Sequence, residues 1–478
     1  MAEIMPHWLT KQADLAPEET AIELEDGTVY TFRELKEASQ SFARKLKQLG
    51  VQKESNIGIS SANHVDMVVA IHAVSYIGAV AVLLNTRLTR SELNFQLNDA
   101  GVSLVIGQTE FDPVDTYFRT FHDVWNSPES SADLKNEIDL ADPFTIIYTS
   151  GTTGFPKGVI HTYGNHWWSA AGSMLNLGLK KTDKWLAALP LFHVSGLSIL
   201  LRSVIYGIPV YLLEAYQKQA VHDAIMERDV TIASVVTVML RDLVGCLGEM
   251  HYPATFRCML LGGGPAPKTL LEQAKSRQIP VFQSYGLTET ASQIVTLSPS
   301  NALEKLGSSG KPLFPAQLKI DKKEDGIGEI FVKGPMVTNA YYNNAEATEK
   351  SFSEGWLATG DLGYADAEGF LYVADRRKDL IISGGENIYP TEIEGVLSAM
   401  EAVDEAGVVG KDDEKWGQIP IAFVAVNDPS ITRETILEFA AQHLAGYKLP
   451  KEIYFIDKLP RNASNKLMRS KLLNEYGK

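Results

Sequence analysis

Cysteine is nearly absent. Cys246 and Cys258 are the only two in 478 residues, and neither stands in a CxxC pair or a Cys/His cluster of zinc spacing, which excludes a disulfide scaffold and a structural zinc site. Reduced thiols in a cytosol follow from that usage. Positive charge is also scarce: 44 Lys and Arg face 59 Asp and Glu, a formal net charge of -15. Bulk electrostatics would therefore repel nucleic acid and anionic membranes, and neither is expected as a partner. The opening MAEIMPHWLTK lacks the basic start and apolar core of an export signal, so a cytoplasmic protein is expected. One stretch without Asp, Glu, Lys or Arg, Met67 to Leu84, has 18 residues, near the lower limit for crossing a bilayer. His72, Ser75 and Gly78 interrupt it. The pattern predicts a buried helix passing through a glycine break into a buried strand.

What is present is the composition of a globular protein, 45% hydrophobic and 22% charged, in a chain long enough for two to four folding units. It is compatible with a homo-oligomer without specifying one. FTIIYTSG (Phe144 to Gly151), RCMLLGGG (Arg257 to Gly264) and IPVFQSYG (Ile279 to Gly286) each read as a buried strand delivering a glycine-rich loop. Such strands belong to an α/β sheet, where ligands collect at the carboxyl ends. From about Gly326 the texture becomes turn-rich and alternating, as in GEIFVKG and GFLYVADRR, which predicts hairpins of an antiparallel β unit. Charges at Arg376 to Lys378 interrupt two apolar runs and mark a boundary, although a surface turn has the same composition. Beyond it, strand and helix patterns mix to the end.

The stretch TSGTTGFPKG, Thr149 to Gly158, combines hydroxyl donors at Thr149, Ser150, Thr152 and Thr153, glycine backbone N–H groups including that of Gly151, and the cation of Lys157. Those are the groups a polyphosphate needs. A flexible linker would not normally follow an apolar strand. A Walker loop requires Gly-Lys-Ser/Thr, and here Lys157 follows Pro156 and precedes Gly158, so this is a different phosphate loop.

The stretch resembles the signature loop of the adenylate-forming enzymes, the superfamily of acyl-CoA synthetases, peptide adenylation domains and firefly luciferase. The resemblance continues in order through LPLFHVSG (189–196), LLGGGPAP (260–267), YGLTET (285–290), WLATGDLG (356–363), DRRKDLIISGGENIYP (375–390) and PRNASNK (460–466). It implies an α/β fold with a large N-terminal domain, residues 1–375, of packed α/β sheets plus a β-barrel-like unit. A hinge at 376–378 and a small mobile α+β C-terminal domain, 379–478, would follow.

Carried over by residue, the resemblance implies an ATP site. Thr149, Ser150, Gly151, Thr152, Thr153 and Lys157 would hold the pyrophosphate end; Gly262, Gly263 and Gly264 with Ser284, Tyr285 and Gly286 would flank the adenine. Thr288 would touch the α-phosphate, Glu289 would bind Mg²⁺, and Asp361 and Arg376 would hold the ribose. Taken singly, Glu289 also reads as a cap acid and Asp361 as a turn residue. Lys466 matches the catalytic lysine of the C-terminal domain, although the family's PKTxxGK is here PRNASNK, with Asn462 and Asn465 at altered positions. Lys378 matches the hinge. Gly384 and Gly385 would line the path of CoA, or simply form a β-turn. The implied reaction is acid–CoA ligation through an acyl-adenylate, with ATP, Mg²⁺ and CoA as co-reactants.

The acid is addressed by two residues. His193 matches the gate beside the carboxylate to be activated, and a satisfied core histidine is its plain alternative. LSILLRSVIYG, Leu197 to Gly207, carries a single charge, Arg202, and the nearest acids in sequence are Asp183 and Glu214. A buried guanidinium needs an anion, and a helix would set Arg202 about 13 Å beyond His193. An acid with two carboxylates fits, and length, LPLFHVSGLS and PRNASNKL resemble the branch of the family that activates o-succinylbenzoate for menaquinone biosynthesis. Snorkelling or a distant acid partner is the alternative for Arg202. A medium-chain fatty or aryl acid is the alternative substrate, and an ATP-binding or ATP-hydrolysing protein without ligase activity is the alternative class.

Overall fold

The computed structural model describes residues 3–108, 116–149, 156–264, 266–298, 300–301, 304–322, 327–375, 380–428, 430–460 and 467–476. The chain divides into two compact units, one of Met1–Thr86, Leu97–Tyr148 and Gly158–Ala374, the other of Arg87–Gln96, Thr149–Lys157 and Asp375–Lys478.

Among the described residues the first unit is built on three large sheets and a two-stranded one, Ile4–Pro6 with Glu137–Asp139. A six-stranded sheet runs Lys157–Thr162, Pro143–Thr149, Val80–Leu84, Asn56–Ser60, Leu104–Gly107, Tyr117–Thr120. Its strand Val80–Leu84 is the second half of the uncharged stretch, whose first half is the helix Val65–Ile77; Gly78, in the left-handed conformation at φ 75°, ends the helix between them. Buried residues occupy the helix from Met67 to Ile77 and all of the strand. That is why no polar face shows in the sequence. No helix among the described residues is long and apolar enough to cross a membrane.

The nine-stranded sheet has the order Lys311–Pro312, Ser292–Thr296, Val281–Leu287, Cys258–Leu261, Ile232–Val235, Trp185–Ala187, Val210–Leu212, Thr20–Leu24, Val29–Thr31. Its centre is parallel, from Val281–Leu287 across to Thr20–Leu24, and its edges are antiparallel. The apolar runs FTIIY, CMLL and VFQSY are thus strands of buried sheets, as their lack of alternation requires. Cys258 lies in one of them, and burial pushes its thiol up to about 12, which leaves it unreactive. The third sheet has five strands, Gln317–Lys322, Gly328–Lys333, Phe352–Ser353, Trp356–Ala365 and Leu371–Asp375, its core formed by Ile330, Val332, Leu357 and Leu371. It is the turn-rich β unit expected from the alternating segments.

The second unit holds a sheet of Ile381–Ser383, Glu386–Ile388, Val403–Asp413, Gly417–Val426 and Glu452–Phe455, with helices Pro390–Ser398 and Arg433–Ala441. Ile393, Leu397, Val408, Val424 and Ile436 fill its core. Lys448 is buried there between Glu92 and Glu392, 2.6 Å from each.

Candidate active site

The parallel neighbours Cys258–Leu261 and Val281–Leu287 bring two loops to their carboxyl ends. The Ser284 hydroxyl donates to the Leu261 carbonyl at 2.9 Å, tying those ends together where Gly262, Gly263 and Gly264 begin. Gly286 follows a shift of register in the pairing with Ser292–Thr296. A Cβ there would stand 2.2 Å from the Ser292 carbonyl oxygen, so only glycine lets the two backbones pass. The chain then tightens into a 3₁₀ turn, Thr288–Thr290.

Two tyrosines fix the acids of this region. Tyr341 donates its hydroxyl to Glu289 Oε1 at 2.8 Å, while Thr338 N–H donates to the Glu289 carbonyl at 2.8 Å. Tyr285 donates to Asp361 Oδ2, also at 2.8 Å. Asp361 sits inside the strand Trp356–Ala365 and is 4% exposed, so it is not a turn residue, and the Tyr285 hydroxyl is engaged with it rather than free for a nucleotide. The fold thereby brings Asp361 to the contiguous stretch of Ser284, Tyr285, Gly286, Thr288 and Glu289, whose Tyr285 lies 76 residues before it.

Among the described residues no group of three or more His, Cys, Asp and Glu side chains could hold a metal ion. The carboxylate of Glu289, which accepts from Tyr341, could serve Mg²⁺, an ion usually bound by one or two carboxylates together with substrate phosphates.

The acid end is built on the helix Val194–Tyr206, which His193 precedes and Gly207 ends at φ 71°. Asn63 secures the approach to it: its amide donates to the Leu189 and Leu213 carbonyls at 3.0 and 3.1 Å, and Leu191 N–H donates to its oxygen at 2.8 Å. His193 is half-buried, its ring edge-on to Phe192 at 4.8 Å.

Arg202 is 1% exposed, so it does not snorkel. It donates from Nη2 to Gln293 Oε1 at 3.0 Å and to Ser169 Oγ at 3.4 Å, and lies 5.3 Å over the Trp185 ring. Its Nε has no partner among the described residues. No carboxylate among them pairs with it, and burial lowers its pKa from the ordinary guanidinium value. Gln293 is in turn held by its amide on Ser173 Oγ at 2.9 Å, and Ser292 donates to its oxygen at 2.8 Å. A buried positive charge whose partners among the described residues are neutral oxygens is a group that an anionic ligand could neutralise.

Thr149 closes the strand Pro143–Thr149 and Lys157 opens Lys157–Thr162. Ser150, Gly151, Thr152 and Thr153, the hinge residues Arg376 and Lys378, and Lys466 lie outside the described residues. Gly384 and Gly385 link the hairpin strands Ile381–Ser383 and Glu386–Ile388 with φ of 59° and 89°. They form the two-residue turn that demands positive φ at both positions. Sequence reasoning missed Tyr341, Asn63 and Gln293. No local pattern marks them, because each acts on a residue at least 52 positions away.

The chain matches the family described as AMP-binding enzyme over residues 9–342, and that described as AMP-binding enzyme C-terminal domain over 392–466. The 2-succinylbenzoate–CoA ligase of Oceanobacillus iheyensis is 57% identical, with 99% of this chain and 100% of that protein covered. Among solved structures, a double mutant of o-succinylbenzoate CoA synthetase from Bacillus subtilis, bound with its product analogue, has a TM-score of 0.96 at 46% identity, covering 99% of both chains. The same enzyme in complex with its acyl-adenylate intermediate has a TM-score of 0.77 at 46% identity, covering 98% of both. Matches over most of its length identify the chain as a member of the AMP-binding, adenylate-forming enzyme family.

Proposed function

We propose that this chain is an ATP-dependent, AMP-forming acid–CoA ligase whose acid is o-succinylbenzoate. A carboxylate oxygen of the acid attacks the α-phosphorus of ATP, the bond to pyrophosphate breaks, and acyl-AMP forms. The thiol of CoA then displaces AMP, giving the thioester. The observation that carries the choice of acid is Arg202, a buried guanidinium with no carboxylate partner among the described residues. A diacid supplies one carboxylate to Arg202 and presents the other near His193.

Two anions meet in the first step, so charge must be neutralised as pyrophosphate leaves. Lys466 takes that role in the proposal, with Thr149, Ser150, Gly151, Thr152, Thr153 and Lys157 around the departing phosphates. Thr288 directs the α-phosphate, and Glu289, steadied by Tyr341, would hold Mg²⁺, which would offset the phosphate charge. Asp361 and Arg376 take the ribose. Domain rotation at Lys378 then withdraws Lys466 and brings Gly384 and Gly385 beside CoA. ATP and CoA are cytoplasmic metabolites, which supports a cytoplasmic location, and the reading requires no second copy.

Pyrophosphate exchange into ATP is measured with o-succinylbenzoate, benzoate and a medium-chain fatty acid. Exchange dependent on o-succinylbenzoate and weak with the monoacids is expected. ATP hydrolysis indifferent to any acid would identify a hydrolase, and equal turnover of all three acids would remove the diacid assignment.

A further inference from the structure

His161, in the strand Lys157–Thr162, is fully buried and has no part in the chemistry above. Its Nε2 stands 2.6 Å from the main-chain carbonyl oxygen of Thr288. A carbonyl only accepts, so Nε2 carries the proton. Burial lowers the pKa of this ring from 6.5 to about 4 and keeps it neutral near pH 7, which leaves Nδ1 bare. Nδ1 therefore accepts the hydroxyl proton of Thr145, 3.2 Å away. The Thr145 oxygen, having given its proton, accepts from Nε2 of His166 at 2.9 Å. His166 is also buried, and burial holds it well below the usual imidazole range. The Thr288 carbonyl thus dictates the direction of every hydrogen bond in a row of three buried side chains.

The far end of that row is the turn that carries the phosphate and metal ligands of the proposed reaction. His161 grips the Thr288 carbonyl, Thr338 N–H grips the Glu289 carbonyl at 2.8 Å, and Tyr341 grips the Glu289 side chain. We propose that His161 is a positioning residue for adenylation: backed by Thr145 and His166, it fixes the Thr288 peptide and so the aim of Thr288 and Glu289 at the MgATP phosphates. The inference rests on the ligase reading, and it assigns His161 no contact with substrate. A ring nitrogen is suited to this task because one neutral group both donates to the turn and accepts from the sheet behind it.

Two amides separate positioning from simple core filling. His161→Gln places an amide N–H near the position of Nε2, within reach of the Thr288 carbonyl. His161→Asn places an oxygen near the position of Nδ1, keeps Thr145 and falls short of Thr288. In acid-dependent pyrophosphate exchange, His161→Asn is expected to lower kcat about 10- to 100-fold, the usual range for groups that orient ligands from behind. It should also raise the Mg²⁺ concentration for half-maximal rate, while His161→Gln restores both. The two melting temperatures should agree. Equal rates in the two variants, or a loss in Asn matched by a lower melting temperature than Gln, would overturn the assignment.

Should a His161 variant fail to fold, Thr145→Val removes the donor behind the ring with little change of shape. A lowered kcat at unchanged melting temperature supports the row, and an unchanged kcat refutes it. Wild-type protein without exchange on any acid would sink the ligase reading itself. An active wild type with indistinguishable variants would sink only the role of His161.

Discussion

Arg202 concentrates the selectivity argument in one side chain. The cost of a buried unpaired charge is large, and here the described residues offset it only with the Gln293 and Ser169 oxygens and the face of Trp185. Arg202→Ala should lower kcat/KM for o-succinylbenzoate about 10- to 100-fold, the worth of a hydrogen bond to a charged group, with little effect on a monoacid. Gln293→Glu is the sharper change. It sets a carboxylate where the amide oxygen now lies 3.0 Å from Nη2, neutralising the guanidinium from within. Discrimination between o-succinylbenzoate and benzoate should then collapse while the fold persists, as competition between the two acids would report. Retained discrimination in Gln293→Glu would show that the charge of Arg202 does not select the acid.

Buried histidines set a pH dependence of stability. His72 and His161 are both lowered from 6.5 to about 4 by burial. The unfolded chain therefore binds protons first as pH falls through 6.5, and stability is lost progressively down to about pH 4. Melting temperature should drop between pH 7 and pH 5, and less steeply in His72→Leu, which removes one titrating group. A melting temperature flat across that window would contradict the assignment of neutral imidazoles.

At the scale of elements, Arg257 ties the start of the strand Cys258–Leu261 to Asp183 and to the end of the helix Tyr163–Leu177. It makes a two-pronged bond to Asp183 at 2.7 and 2.6 Å and donates to the Leu177 and Gly178 carbonyls at the end of the helix Tyr163–Leu177. Asp183 has no exposed side-chain surface. Arg257→Ala would leave that carboxylate buried with no counter-charge among the described residues, held by Lys180 N–H and the Thr231 hydroxyl, a loss of about 3 kcal/mol, measurable by denaturant unfolding. Destabilisation below 1 kcal/mol, on the order of an exposed pair, would mean that water reaches Asp183.

The elements themselves were the most legible feature of the sequence. FTIIY, CMLL and VFQSY are too short and too apolar for surface helices, and Gly78 could be recognised as a break because glycine readily takes the left-handed conformation that commonly ends a helix. The backbone setting of Asp361 was not legible: its place between Gly360 and Leu362 suggests a turn, yet Trp356–Ala365 continues as a strand, with Gly360 at φ 75° and a register shift in its pairing with Gly328–Lys333. An irregular strand and a turn have the same local composition; neighbouring strands decide between them.

At the scale of the whole molecule, a ligase of this kind carries out two half-reactions on one chain, and this chain divides into two compact units. Lys466→Ala should abolish adenylation and spare thioester formation from supplied acyl-AMP, because the lysine serves only the first step. Rapid-quench measurement of each half-reaction separates the two, and equal loss of both would contradict alternation between conformations.

The sequence by itself pointed to the reaction class, because the phosphate loop carries its hydroxyls, glycines and lysine in one contiguous stretch and six further segments resembling the same family follow it in order. It also placed a lone charge, Arg202, in an apolar helix. Only the tertiary structure decided that this charge has neutral partners, that Tyr341 holds Glu289 across 52 residues, and that His161 meets the Thr288 carbonyl across 127. Those contacts join side chains whose proximity is set by sheet order and helix packing, and no local pattern of residues encodes which distant partner will arrive.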